Sequence, residues 1–227
     1  MNKPTFKSSS GRVNPILVGD REYNACSRGP RKFHDLKQID YGKGYKQGTF
    51  GDQLTLAHGA YLNQDNPDAQ SIVGIFGSRI ISGNTAMSYT PELIIVQDMP
   101  EVRDGRIVMD KKSLTSKLSK NAKKGVRFSD DGSIRAIQYG FAREWQNSDQ
   151  MRINPFSIAL TGNVNAPEML AEIQDKIGKR GYIWALGKVS QSEIRVPVLF
   201  EFGDRLVLSG SNWDEFLGNW CSFGVRQ

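Results

Sequence analysis

The chain is poor in the residues that build metal centres and covalent frameworks. Its 227 residues include only two cysteines and two histidines. Cys26 and Cys221 lie near opposite ends, and neither has a metal-type neighbour two to four positions away. Two cysteines make no disulfide framework, so reduced thiols in a reducing compartment are expected. His34 and His58 have no second histidine at helical spacing and no adjacent glutamate. A zinc site would therefore have to gather every ligand from afar. Long apolar runs are also missing. None approaches the ~20 residues of a membrane helix, and the opening Met-Asn-Lys-Pro-Thr-Phe-Lys has no apolar stretch behind its charges, as a secretory leader would.

The motifs of nucleotide and acyl chemistry are absent too. There is no Gly-x-x-x-x-Gly-Lys-Ser/Thr loop and no Gly-x-Ser-x-Gly. Gly42-Lys43-Gly44-Tyr45-Lys46-Gln47-Gly48 is one residue too long for a dinucleotide fingerprint, and no strand pattern precedes it. Candidate acid pairs such as Glu144 with Asp149, or Asp98 with Glu101, have spacings that ordinary turn and cap residues share. A Cys26 pairing with His34 or His58 would need an ordered segment around Cys26, which the composition there does not suggest. No cofactor is implied. The expectation is a cytoplasmic protein without membrane contact, and an enzyme only if its site assembles from distant residues.

What the chain does have is an uneven charge. Lys plus Arg number 30 against 24 Asp plus Glu, a net +6, with 38% apolar residues and a mean hydropathy of −0.46. The first fifty residues hold ten basic and four acidic groups, which accounts for the whole excess. Beyond them, 103–127 carries nine basic residues against Asp104 and Asp110, so the remaining body is acidic. Such a distribution calls for an anionic partner, or for contact between the basic segment and an acidic surface.

Periodicity suggests an α+β fold with short-stranded antiparallel or mixed sheets and several helices, preceded by a basic irregular arm over 1–49. Within that arm only Pro15 to Val18 reads as strand. The body is taken as 50–227, with a sub-boundary near 140–155. Asp52 is expected to cap a helix bearing Leu54, Ala57 and Tyr61. Asn66-Pro67-Asp68 should open another that carries Ile72, Val73, Phe76 and Ile80 as far as Ser82-Gly83-Asn84. Leu93 to Val96 reads as a strand buried on both faces. Arg103-Asp104-Gly105 reads as a turn and Arg106 to Met109 as a returning strand. Ser113 should begin a basic helix that ends at Gly125. Hairpins are expected at 126–139 and 193–208, strands at 156–160 and 182–186, and a helix from Pro167. Pro197 places its strand at an edge or a bulge. Trp213 to Trp220 reads as a short amphipathic segment.

Two segments carry recognition chemistry. Residues 41–50 interleave Tyr41 and Tyr45 with Lys43, Lys46 and glycines, close behind Arg31 and Lys32. Aromatic faces stack on unpaired bases and lysines neutralise phosphates. In the expected basic helix, Lys117, Lys120 and Lys124 share a face, with Lys112 one turn earlier and Arg127 beyond. The leading expectation is a non-enzymatic, sequence-tolerant binder of single-stranded RNA or DNA within a larger assembly. The alternatives are an assembly subunit, phage-like or of another multimer, whose arm docks on an acidic neighbour or a second copy, and an enzyme of unrecognised type.

Overall fold

Asn66 does what its position demands. Its side chain accepts from the backbone N–H groups of Asp68 and Ala69, and Pro67 fills the first helical position, where no N–H is needed. The computed structural model describes residues 6–7 (backbone only), 15–24, 35–36, 38–212 and 220–226. Arg31, Lys32, Cys26, His34 and the segment 213–219 lie outside them.

In chain order the first strands are β1 (Phe6–Lys7), β2 (Ile16–Val18), β3 (Arg21–Tyr23) and β4 (Tyr45–Gln47). Helices α1 (Phe50–Leu62) and α2 (Pro67–Ser78) follow, then β5 (Ile80–Ser82), β6 (Thr85–Tyr89) and β7 (Leu93–Asp98). A small hairpin, β8 (Glu101–Arg103) and β9 (Arg106–Val108), leads to helix α3 (Lys111–Ser116) and strands β10 (Leu118–Lys123), β11 (Val126–Ser129), β12 (Ile134–Gln138) and β13 (Glu144–Gln146). Three helices come next, α4 (Ser148–Arg152), α5 (Pro155–Thr161) and α6 (Ala166–Ile177). The chain closes with β14 (Arg180–Trp184), β15 (Glu193–Phe202), β16 (Arg205–Ser211), β17 (Trp220–Cys221) and β18 (Gly224–Arg226). Helices and antiparallel or mixed sheets together make an α+β fold.

One sheet runs β10-β11-β12-β7-β6-β15-β16-β14-β13, with β5 and β17 attached beside β15; a second runs β1-β2-β3-β18-β4. The main core lies between the large sheet and helices α1, α2, α5 and α6, where Leu54, Phe76, Phe156 and Ile173 meet Ile94, Ile137, Ile183 and Leu206. On the other face of the sheet, Leu114 of α3 covers Leu93, Ile95, Ile134 and Ala136. Leu36, Ile107 and Trp220 cover Ala86, Val196 and Val198. Strand β7 is therefore buried on both sides, in keeping with its unbroken Leu-Ile-Ile-Val run. Beyond β15 that second face has no such cover among the described residues.

Several local expectations are corrected. Thr49, not Asp52, caps α1; Asp52 stands at the third position and completes a reciprocal capping box. Helix α2 ends at Ser78, and Ile80 belongs to β5. Residues 156–160 are helical, because the Asn154 side chain accepts from Phe156 N, Pro155 occupies the first turn, and Gly162 closes α5 at φ 72°. An all-buried apolar run of that length carries no period that separates helix from strand. Pro197 is neither at an edge nor in a bulge. It pairs with Gly210 on one side, and on the other it falls where the neighbour of β15 changes from β6 to β5, so no ladder needs its missing N–H. Three described stretches of 1–49 besides residues 6–7 are strands, not irregular chain. Gln47 pairs with Gly224 and Tyr23 with Val225, while Ile16, Val18 and Tyr23 enter the main core.

The largest correction concerns the basic helix. Asp110 caps it, its Oδ1 accepting from Ser113 N at 2.7 Å, and it stops at Ser116. Residues 118–123 are strand β10, joined to β11 by a two-residue turn in which Lys124 and Gly125 both have positive φ (47° and 80°). That is type I′ geometry, which matches the strand twist. Gly125 is thus a hairpin glycine and not a helix cap.

Candidate nucleic-acid interface

The two segments singled out for recognition fare differently. Tyr41 is 2% exposed, and its hydroxyl donates to Leu36 O at 3.0 Å. Tyr45 is half-buried in β4; its hydroxyl donates to Glu22, and the Arg226 guanidinium carbon lies 5.9 Å from its ring centroid. Those hydrogen bonds, from Tyr45 first and Arg226 second, hold the Glu22 carboxyl below its usual range. The buried Tyr41 ring offers no face to a base. Of that segment Lys43 and Lys46 remain exposed.

The second segment stays on the surface in a new shape. Lys112 on α3, Lys117 at its end, Lys120 on β10 and Lys124 in the turn are all exposed, as are Lys111 and Lys123. Arg127 of β11 is half-buried. Strand β10 is the outermost of the large sheet, so these cations line one free edge instead of one helix face. Lys111 pairs with Glu92, and Lys124 Nζ donates to Val164 O at 3.2 Å. Lys43 and Lys46 belong with the smaller sheet, apart from this edge in the strand order.

Three of the candidate acids have cationic partners. Asp98 binds Arg135, Glu101 pairs with Arg103, and Asp149 approaches Arg152. His58 is buried between α1 and α6 and faces Glu172. A polar cleft of about 520 Å³ is lined by Arg21, Thr49, Asp52, Asp98, Asp131 and Arg135 among others. Its groups serve the fold. Asp52 completes the capping box of α1 with Thr49 and pairs with Arg21. Arg135, fully buried, donates to Ala159 O, Leu160 O and Asp98. Asp98 also accepts from Thr85 Oγ1, which in turn accepts from Phe50 N. This chain of bonds joins the start of α1, β6, β7, β12 and the end of α5. Asp131 accepts from Ser129 Oγ and from Ser133 N and Oγ, which hold its carboxyl down at about 2. Among the described residues no cluster of three His, Cys, Asp or Glu could hold a metal ion, and no helix is long and apolar enough to cross a membrane.

Sequence reasoning missed a set of aromatics at the other end of the large sheet. Trp145, Trp184 and Phe202 are exposed (38%, 61% and 65%), beside Arg180 and Arg205. Their signal was a period of two, Arg180-x-Tyr182-x-Trp184, inside a stretch already read as largely strand.

No family model and no curated protein matches the sequence. A solved structure does, one from work on the accommodation of massive sequence variation in Nanoarchaeota by the C-type lectin fold. It aligns over 99% of both chains with a TM-score of 0.57 and 13% sequence identity. The likeness is one of fold. It extends over the whole α+β architecture described above and carries no residue of function across.

Proposed function

We propose that this protein binds single-stranded nucleic acid without a strong sequence preference and does not act on it chemically. The observation that carries the reading is the edge formed by α3, β10 and the Lys124-Gly125 turn. Six lysines are exposed there within fourteen positions, 111–124, and the same stretch holds no carboxylate. A row of flexible ammonium groups on a protruding edge can follow a phosphate backbone, and each neutralised phosphate releases counterions. Lysine also shields sheet edges from pairing with other chains, a duty that needs no ligand. The non-enzymatic part of the reading is supported by the cleft around Arg135, whose polar groups are engaged with one another. It is also supported by the fold, which in the Nanoarchaeota structure accommodates massive sequence variation. Assembly through the N-terminal segment has less support, since its strands β3 and β4 are hydrogen-bonded to β18 of their own chain and β2 pairs with β3.

The test is titration of a fluorescent oligo(dT) or oligo(U) against wild type and a Lys112, Lys117, Lys120, Lys123→Gln variant. Affinity should fall steeply with salt, and the slope of log K against log salt should flatten by about 0.7 for each phosphate contact removed. Equal affinity and equal slope in the variant, or no binding at low salt, refutes the proposal.

A further inference from the structure

The face of the large sheet beyond β15 lies at the far end of the strand order from the lysine edge. Register puts its side chains in rows. Tyr182 lies across from Trp145 on β13 and from Val207 on β16, and Val207 lies across from Phe200 on β15. One row further, Arg180 faces Arg205, which faces Phe202. Because strands alternate, all of these point away from the main core that their neighbours Ile183, Leu206 and Leu199 enter. The rings of Trp145 and Tyr182 meet edge to face at 5.3 Å. Arg180 and Arg205 hold their guanidinium carbons 4.7 and 4.6 Å from the Trp145 centroid, and Arg205 also lies 5.5 Å from Tyr182. Among the described residues neither guanidinium has a carboxylate closer than the 3.6 Å between Arg205 and exposed Asp204, and Arg205 Nε makes no hydrogen bond.

Beside these rings opens a cavity of about 570 Å³, walled by Tyr182, Trp184, Phe200, Phe202, Arg205 and the end of α2 at Arg79. Its volume is that of a small-molecule site. One acid, Glu201, reaches it, but that carboxylate is engaged by Lys179 and by the Tyr61 hydroxyl. Burial first, and Glu201 second, push the Tyr61 pKa up, so it stays a donor. The walls are therefore aromatic and the uncompensated charge is positive.

A ligand that satisfies both must be flat and apolar on its faces and anionic at one end. We propose that this pocket binds a nucleotide unit. The base stacks on Trp184 and Phe202, and the phosphate takes the guanidinium groups of Arg205 and Arg79 or Arg180. Arginine suits this, since its planar donors pair with phosphate two at a time. The unit can be a free nucleoside monophosphate or one residue of a single strand, and both present the same chemistry.

Binding is read by tryptophan fluorescence and calorimetry on the full chain with UMP, AMP, uridine, inorganic phosphate, oligo(U) and an acidic tryptophan-containing peptide. Trp184→Ala and Phe202→Ala remove side chains that are mostly in water, so they leave the core intact, which circular dichroism verifies. UMP or AMP should bind more tightly than uridine and than phosphate. Each aromatic variant should weaken binding about 5- to 160-fold, the range for loss of one stacked base, and Arg205→Gln should abolish the advantage over uridine. Saturation by oligo(U) alone, with the same losses in the variants, identifies a strand as the source and also supports the site. The lysine-edge variant should leave UMP binding unchanged, so failure of one proposal is visible apart from failure of the other. The inference is overturned if no nucleotide or strand binds, if binding ignores all three pocket variants, if uridine equals UMP, or if the peptide outcompetes every nucleotide.

Discussion

Replacing Arg135 with Met removes the one charged side chain that is completely buried among the described residues, and the consequences can be worked from its bonds. The guanidinium forms a two-pronged pair with Asp98 and also donates to Ala159 O at 2.9 Å and Leu160 O at 3.1 Å, carbonyls near the end of α5. Methionine keeps most of the volume and none of the donors. Asp98, 16% exposed, is then left with a charge that only the Thr85 hydroxyl answers. Breaking a buried pair from one side costs about 3–5 kcal/mol, a large share of the ~5–15 kcal/mol that holds a typical domain. At about 2–4 °C per kcal/mol for a chain of this size, the melting temperature should fall by about 6–20 °C. Urea unfolding followed by tryptophan fluorescence measures the loss. The double variant with Asp98→Asn should recover part of it, because the orphaned charge is gone, whereas Arg135→Lys should recover little, since one ammonium cannot serve four acceptors. If Arg135→Met lies within about 0.5 kcal/mol of wild type, the range of ordinary surface changes, the network does not hold the helices to the sheet and the reasoning fails.

Gly83→Ala is expected to destabilise by about 1–3 kcal/mol, the cost of overpacking, because its new Cβ would be driven into Phe50 N and the Thr49 backbone at the start of α1; a midpoint in urea equal to wild type contradicts that close approach. Asp131 gives a pH signature. Its folded carboxyl titrates at about 2 against an ordinary 3.8, so its stabilising contribution is complete above that ordinary value and is lost as the pH falls toward 2. The stability gap between wild type and Asp131→Asn should therefore narrow between pH ~4 and ~2, and a gap that stays constant across that window refutes the assignment.

The sequence by itself determined those elements whose signals are local. Asn66-Pro67 starts α2, Asp130-Asp131-Gly132 turns β11 into β12, and Gly203-Asp204 turns β15 into β16, since a cap or a turn depends on a few adjacent residues. Leu93 to Val96 declared a doubly buried strand through composition alone. The charge count also located the lysine-rich segment, though not its form. Tertiary structure decided the rest. Residues 118–123 hold helix-compatible lysines, yet they pair with β11, because a hydrogen-bonding sheet partner outweighs a propensity worth only tenths of a kcal/mol per residue. Residues 21–23 and 45–47 have no period of their own and become strands by pairing with β18, which is some two hundred positions away for β3. The aromatic face could be seen as a period of two in one strand. Only the order β13-β14-β16-β15 set Trp145, Tyr182, Arg205 and Phe202 side by side, because sheet neighbours are chosen by long-range pairing that no local window contains.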